Sequence, residues 1–479
     1  MKNFIWSFIE KAGDKIIGLL VSIFLTRLLE PEDFGKLGMV LIFMAIGRAL
    51  ADGGMPGSVL RKKEPTITDY SSVFQLNLIF SLLYYAIIFF LAPFIAQYYN
   101  EPELIRVIRL LSLTVIINSG STVQRIWYLR TYRLKSISLI VLTASIIGGI
   151  LGIVLALSGS GVYSLVYMYI ATSVSLTMLI WIFSDWKPQF GLSRKIVQEH
   201  LGFGMNITLS SLLSVIFNNI YYVIIGKYFN SAMLGYYTRA DTYRQTPINI
   251  ISSALNQVAM PRLVEAQDDP IEFKRLYREI QIKLIVVVAP LMIGLAVTAK
   301  PLFILLFTEK WIQAVPFFQL LCVVGILSPI ITYNLNVIFV MGKSDLYLKL
   351  ELIKKAVLTL TIVLSFPFGI YGLMYGQIIY SFFALFINVF YSSKFMTYRL
   401  KEQFRDVFKP VLISSLMGFI LVCQLKFIPI SNHMIQLTMS ILIGALSFWF
   451  LARVMKLQSF FALTESLFLV FKKSEKIKI

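Results

Sequence analysis

Fourteen apolar stretches follow one another along this chain, at 5–28, 36–59, 72–97, 105–127, 137–157, 162–183, 204–228, 235–259, 284–306, 316–340, 351–368, 371–392, 410–429 and 434–454. A bilayer core about 30 Å thick is crossed by roughly 20 helical residues, and most of these stretches are at least that long. Inside lipid every backbone polar group needs an internal partner, which leaves helices or a closed barrel. The runs are continuous rather than alternating, so they predict helices. The expected fold is an all-α polytopic membrane protein with about 14 transmembrane helices. Composition agrees: 57% of residues are hydrophobic and 14% charged, against about 25% charged in soluble domains. A water-soluble or disordered chain is excluded.

Charge gives the orientation. The chain has 44 Lys+Arg against 25 Asp+Glu, a net +19. In a soluble protein such an excess points to nucleic acid; here it follows the positive-inside rule. Alternate loops carry Arg61, Lys62 and Lys63, then Arg130, Arg133 and Lys135, then Lys187, Arg194 and Lys195. Arg262, Lys274, Arg275, Arg278 and Lys283 follow, then Lys343 and Lys349, then Lys394 through Lys409. The opposite loops are short and poor in cations, with Glu30, Glu32 and Asp33, then Asn100 and Glu101, then Asn230 and Ser231. The alternation predicts cytoplasmic N- and C-termini and an even number of crossings, with no nucleic acid partner. Charges interrupt the first apolar run, so it reads as a membrane helix and not as a cleavable signal.

The sequence repeats itself. Leu28–Gly35 reads LLEPEDFG and Lys227–Gly235 reads KYFNSAMLG; in each, an apolar helix ends in a polar turn and a Gly opens the next helix. Gly35 and Gly235 are 200 residues apart. Gly161-Val-Tyr163-Ser-Leu165-Val-Tyr167 parallels Gly369-Ile-Tyr371-Gly-Leu373-Met-Tyr375 at an offset of 208. Crossings 1–6 therefore pair with 7–12 as a parallel repeat about an axis along the membrane normal. The expected parts are a six-helix lobe over 1–195, a second over 196–405, two further helices over 406–455, and a basic amphipathic cytoplasmic tail over 456–479.

Catalytic signatures are missing. His200 and His433 fall on opposite predicted sides and assemble no metal cluster. Met341-Gly-Lys-Ser344 lacks the upstream glycine of a P-loop, where Val337 stands instead. Cys322 and Cys423 build no disulfide framework. No loop is long enough for a catalytic domain. The expectation is a protein that is not an enzyme, with no metal and no cofactor.

Charges inside crossings carry the chemistry. A mid-membrane charge costs about 2.5–3.5 kcal/mol on insertion scales and usually faces a bundle interior or a wet cavity. Helix 1 carries Glu10, Lys11, Asp14 and Lys15; helix 2 carries Arg48 and Asp52; helix 8 carries Arg239, Asp241 and Arg244. Facing one another across a two-lobed bundle, Lys11, Lys15, Arg48, Arg239 and Arg244 would form a cationic cavity; the competing readings are that Lys11 and Lys15 snorkel to the inner interface and that Arg48 and Asp52 form a structural i,i+4 pair. Guanidinium and ammonium groups bind phosphates, so the expected cargo is a phosphate or pyrophosphate anion. Glu10, Asp14, Asp52 and Asp241 either couple ions or balance charge.

These residues carry a family resemblance. Thr26–Gly35 resembles the signature near the start of bacterial polysaccharide flippases, and Asp52-Gly53-Gly54 before Arg61-Lys62 resembles their next motif. Ile225–Phe229 with Leu234–Ala240 is similar to their mid-chain motif, and Pro261 matches the proline that ends that helix. The chain thus resembles the Wzx-type polysaccharide transporters of the multidrug/oligosaccharidyl-lipid/polysaccharide superfamily, similar in fold to the lipid II flippase and MATE antiporters. The resemblance implies an inner-membrane flippase that moves undecaprenyl-diphosphate-linked oligosaccharide by alternating access. A gradient of H⁺ or Na⁺, or the membrane potential, would drive it. The implied partners are the bilayer, the lipid-linked glycan and polysaccharide polymerase machinery. Two other classes compete: a MATE-like antiporter, which needs an acidic cavity, and a membrane polymerase or ligase, which needs a large outer loop.

Overall fold

The computed structural model describes residues 2–189, 191, 194–457 and 459–461. The expected tail over 456–479 lies almost wholly outside them. Among the described residues there are helices and no strands. In chain order the α-helices are α1 (Lys2–Leu28), α2 (Pro31–Asp52), α3 (Met55–Arg61), α4 (Ile67–Tyr99), α5 (Leu104–Arg130), α6 (Leu134–Leu157), α7 (Val162–Phe183), α8 (Arg194–Asn218) and α9 (Ile220–Tyr228). They continue as α10 (Ser231–Glu265), α11 (Pro270–Val297), α12 (Ala299–Phe307), α13 (Ala314–Val340), α14 (Ser344–Ser365), α15 (Gly369–Ser392), α16 (Leu400–Phe427) and α17 (His433–Val454).

Ten helical stretches among the described residues are long and apolar enough to cross a membrane, or eleven if Ile207–Asn218 and Ile220–Tyr228, bent by 43°, form one span. The chain is a multi-pass membrane protein. One stretch, Asp345–Ser392, holds 48 residues and folds on itself. It reverses at a short 3₁₀ turn over Phe366–Phe368, and α14 packs back on α15. Neither α1 nor α10 is among the ten; both carry the charges singled out above.

Several expected helices are broken where the sequence supplies a reason. The expected 36–59 helix divides at Gly53 and Gly54, whose φ angles of 53° and 64° lie in the left-handed region that glycine enters freely. Pro261, by contrast, does not end its helix: α10 runs on to Glu265. Leu263 and Ala266 beyond it are buried against Phe273, Tyr277, Tyr333 and Tyr398, and that packing outweighs the hydrogen bond a proline cannot make. Burial, with the Asp406 carboxylate beside it, pushes the Tyr398 hydroxyl up.

The chain divides into two compact units, Met1–Thr238 and Arg239–Ile479. In the first, α1 packs on α6, α6 on α7, and α4 on α5, while α8 lies against α2, α3 and α4. In the second, α13 packs on α11 and α15, α16 on α11, and α17 on α16 and α12. Small residues permit these contacts in lipid. A Cβ on Gly148 would lie 1.9 Å from the Thr172 hydroxyl, and one on Gly372 would lie 2.4 Å from the Ser365 carbonyl oxygen.

Candidate functional site

The two repeat motifs meet in the first unit. Pro31 at the first position of α2, with Glu32 and Asp33 in the first turn, starts that helix well. The Asp33 carboxylate accepts from the Glu30 amide at 3.0 Å. The start of α10 lies against it. A Cβ on Gly35 would sit 1.7 Å from the carbonyl oxygen of Ser231, and one on Gly235 would sit 1.8 Å from that of Pro31. The contact is reciprocal at the offset of 200 seen in the sequence: residue 35 touches 231, and residue 235 touches 31. Gly38 continues the crossing against Thr238 and Leu234. Gly161 of the second motif lies beside the Asp33 carboxylate; its counterpart Gly369 faces open space.

The singled-out charges divide between the units. On α1, Asp14 is half-buried and accepts from the Ser145 hydroxyl of α6 at 2.7 Å, while Lys15 is exposed. The side chains of Glu10 and Lys11 lie outside the described residues. On α2, Arg48 is exposed and Asp52 half-buried. In the second unit, Arg239 is half-buried, whereas Asp241 and Arg244 are buried. The Arg244 guanidinium donates to Asp241 Oδ1 at 2.5 Å, and Gln245 donates to Oδ2 at 2.7 Å. Gly325 on α13 makes room for Arg244: a Cβ there would lie 3.3 Å from its Cγ.

The structure also assembles a polar group that sequence reasoning missed. Arg130, at the end of α5, donates to the carbonyl oxygens of Val59, Leu60 and Lys62 at 3.2, 3.1 and 2.6 Å, and to that of Lys63 at 2.7 Å. It closes the end of α3, whose last carbonyls lack helical partners. Arg130→Gln is expected to cost about 2 kcal/mol and to lower the thermal unfolding midpoint, while Arg130→Lys recovers only part because it lacks the planar fork. Beside this closure, Asp69 caps α4 from within its first turn and meets His200 of α8. The one advance signal was the Thr66-x-x-Asp69 capping pattern ahead of an apolar run. Among the described residues no group of His, Cys, Asp and Glu could hold a metal ion.

Residues 24–316 match the family model described as "Polysaccharide biosynthesis protein". The chain belongs to this family. It is 23% identical over 424 residues to the lipopolysaccharide biosynthesis protein WzxC of Escherichia coli K12, covering 88% of this chain and 83% of that one. It is 25% identical over 336 residues to the succinoglycan biosynthesis transport protein ExoT of Rhizobium meliloti, covering 69% and 67%. Among solved structures, the inward closed lipid II flippase MurJ superposes with a TM-score of 0.74 at 14% identity, covering 94% of this chain and 98% of that one. At that identity the likeness shows the fold. The resemblance to Wzx-type polysaccharide transporters stands.

Proposed function

We propose that this chain is a flippase that carries an undecaprenyl-diphosphate-linked oligosaccharide from the cytoplasmic to the outer leaflet of the bacterial inner membrane. One observation carries the reading: a chain of a polysaccharide biosynthesis family has the fold of a lipid II flippase over 94% of its length. In this reading all fourteen apolar segments cross the membrane as two six-helix repeats plus two, with both termini cytoplasmic. The repeats alternate access to a wet path for the charged headgroup while the prenyl chain stays in lipid. No covalent bond is made or broken, and a polymerase takes the product outside. An inside-negative potential assists, since each negative charge moved outward gains about 2.3 kcal/mol per 100 mV.

Among the charges, Arg239 is the headgroup cation best supported in the second unit. It is half-buried, whereas Arg244 is buried against Asp241. In the first unit the corresponding candidates are Lys15 and Arg48; both are exposed. The test is headgroup translocation in proteoliposomes with a fluorescent undecaprenyl-diphosphate sugar. Arg239→Gln is expected to lower the rate at least about tenfold, the equivalent of one lost charge-assisted contact, with the thermal midpoint unchanged. Unchanged transport would return Arg239 to a structural role. Equal movement of organic cations by the native protein would overturn the flippase reading.

A further inference from the structure

In the first unit, a buried imidazole and carboxylate tie three elements together. His200 on α8 is 1% exposed and Asp69 on α4 is 0% exposed. His200 Nε2 lies 3.1 Å from Asp69 Oδ1, and Nδ1 lies 2.5 Å from the Ser58 hydroxyl of α3. Lys62 donates to the same Oδ1 at 2.8 Å. The other carboxylate oxygen accepts from the Thr66 amide at 2.7 Å and the Thr66 hydroxyl at 2.8 Å. The backbones beside this cluster touch: a Cβ on Gly204 of α8 would lie 2.0 Å from the Gly53 carbonyl oxygen.

Hydrogen accounting fixes what the ring can do. An ionised carboxylate only accepts, so Nε2 carries a hydrogen in either charge state. The Ser58 hydroxyl has one hydrogen and two acceptors in reach: His200 Nδ1, and the Met55 carbonyl oxygen at 2.8 Å. With a neutral ring, Ser58 donates to Nδ1. With a charged ring, Nδ1–H donates to Ser58, whose own hydrogen turns to Met55. Both states are fully bonded without moving a heavy atom.

We propose that His200, Asp69 and Ser58 form a proton-binding clasp that docks α8 onto the turn between α3 and α4. A proton from water enters at Nδ1 and makes both ring contacts charge-assisted, which are roughly twice as strong as neutral ones. Proton uptake and docking of α8 then reinforce each other. The charged groups on the packed elements include Arg48 and Asp52 on α2, Arg61 on α3, Lys62, Lys63 and Glu64 in the turn, Asp69 on α4, and Arg130 of α5, which holds the carbonyls of that turn. Of these, Asp69 contacts the ring. The side chains of Arg194, Lys195 and Glu199 on α8 itself lie outside the described residues. Lys62 is 31% exposed, so water screens its ammonium from the ring when the ring charges.

The chain has two histidines, so His433→Gln leaves one ring to observe. Nitrogen-15 spectra of that variant in lipid nanodiscs, from pH 5 to 8, are expected to show Nε2 protonated throughout and Nδ1 protonated only at the acid end. Hydrogen exchange of residues 55–70, corrected for intrinsic rates, is expected to be about fivefold slower at the acid end. His200→Gln, which still donates to Asp69 but does not charge, is expected to remove that difference. A ring that holds one protonation state across the range overturns the proposal, and so does the same pH response in His200→Gln. If His200→Gln fails to fold, the spectra alone decide.

Discussion

Replacing Gly35 by alanine is expected to destabilise this protein by several kcal/mol and to suppress transport by more than an order of magnitude, although alanine is the better helix former by about 1 kcal/mol. The added Cβ would stand 1.7 Å from the Ser231 carbonyl oxygen and 2.9 Å from the Ser231 Cα. Both are backbone atoms, so no side chain can rotate away and the two helices must part. Overpacking a tight contact ordinarily costs about 1–3 kcal/mol, occasionally more. Here the added atom falls in a crossing that Gly38 and Thr238 extend by another turn, so the separation is felt along the helix pair.

The reciprocal contact sharpens the test. Gly235→Ala would place its Cβ 1.8 Å from the Pro31 carbonyl oxygen in the same crossing, so its cost alone is expected to match that of Gly35→Ala. Together the two are expected to cost less than their sum, because helices already parted by one methyl have room for the other. Thermal unfolding of the four proteins measures this coupling. Strict additivity would mean that the two glycines report on independent sites. Gly57, with open space around it, is the control position where alanine is expected to be tolerated.

The same crossing shows what the sequence made legible. Helices were readable because lipid permits so few backbone solutions; the stretch expected at 162–183 is α7 residue for residue. The likeness of the two motifs around Gly35 and Gly235 was readable. Their contact was not, because no pattern within either motif says that the two touch. Breaks were harder. Gly53-Gly54 stood inside an apolar run, and only the left-handed backbone there shows why α2 stops. Pro261 misled in the other direction, since tertiary burial of Leu263 carried α10 past it. In the candidate site, charge alone marked Arg239, Asp241 and Arg244 but did not rank them. Their ranking needed burial, which depends on how α10 faces its neighbours. His200 was read only as a missing metal ligand, because Ser58 and Asp69 are 142 and 131 residues away from it in sequence.

Asp241→Ala is expected to be the most damaging single change in the second unit. It removes the carboxylate that Arg244 contacts at 2.5 Å while leaving that arginine's side chain 8% exposed. Breaking one side of a buried ion pair costs about 3–5 kcal/mol. Asp241→Asn keeps an acceptor for Gln245 but not the charge, and is expected to fall between the native protein and Asp241→Ala. Replacing both partners by apolar residues of similar volume, Asp241→Leu with Arg244→Met, is expected to recover most of the lost stability, because the desolvation cost of both charges disappears together. The double variant then separates two roles that the arginine alone confounds. If it folds and still moves the diphosphate lipid, the pair only holds α10 in place, and Arg239 carries the headgroup contact in this unit. If it folds and transport is lost, Arg244 itself meets the cargo during the cycle, and Asp241 holds its charge until the diphosphate arrives.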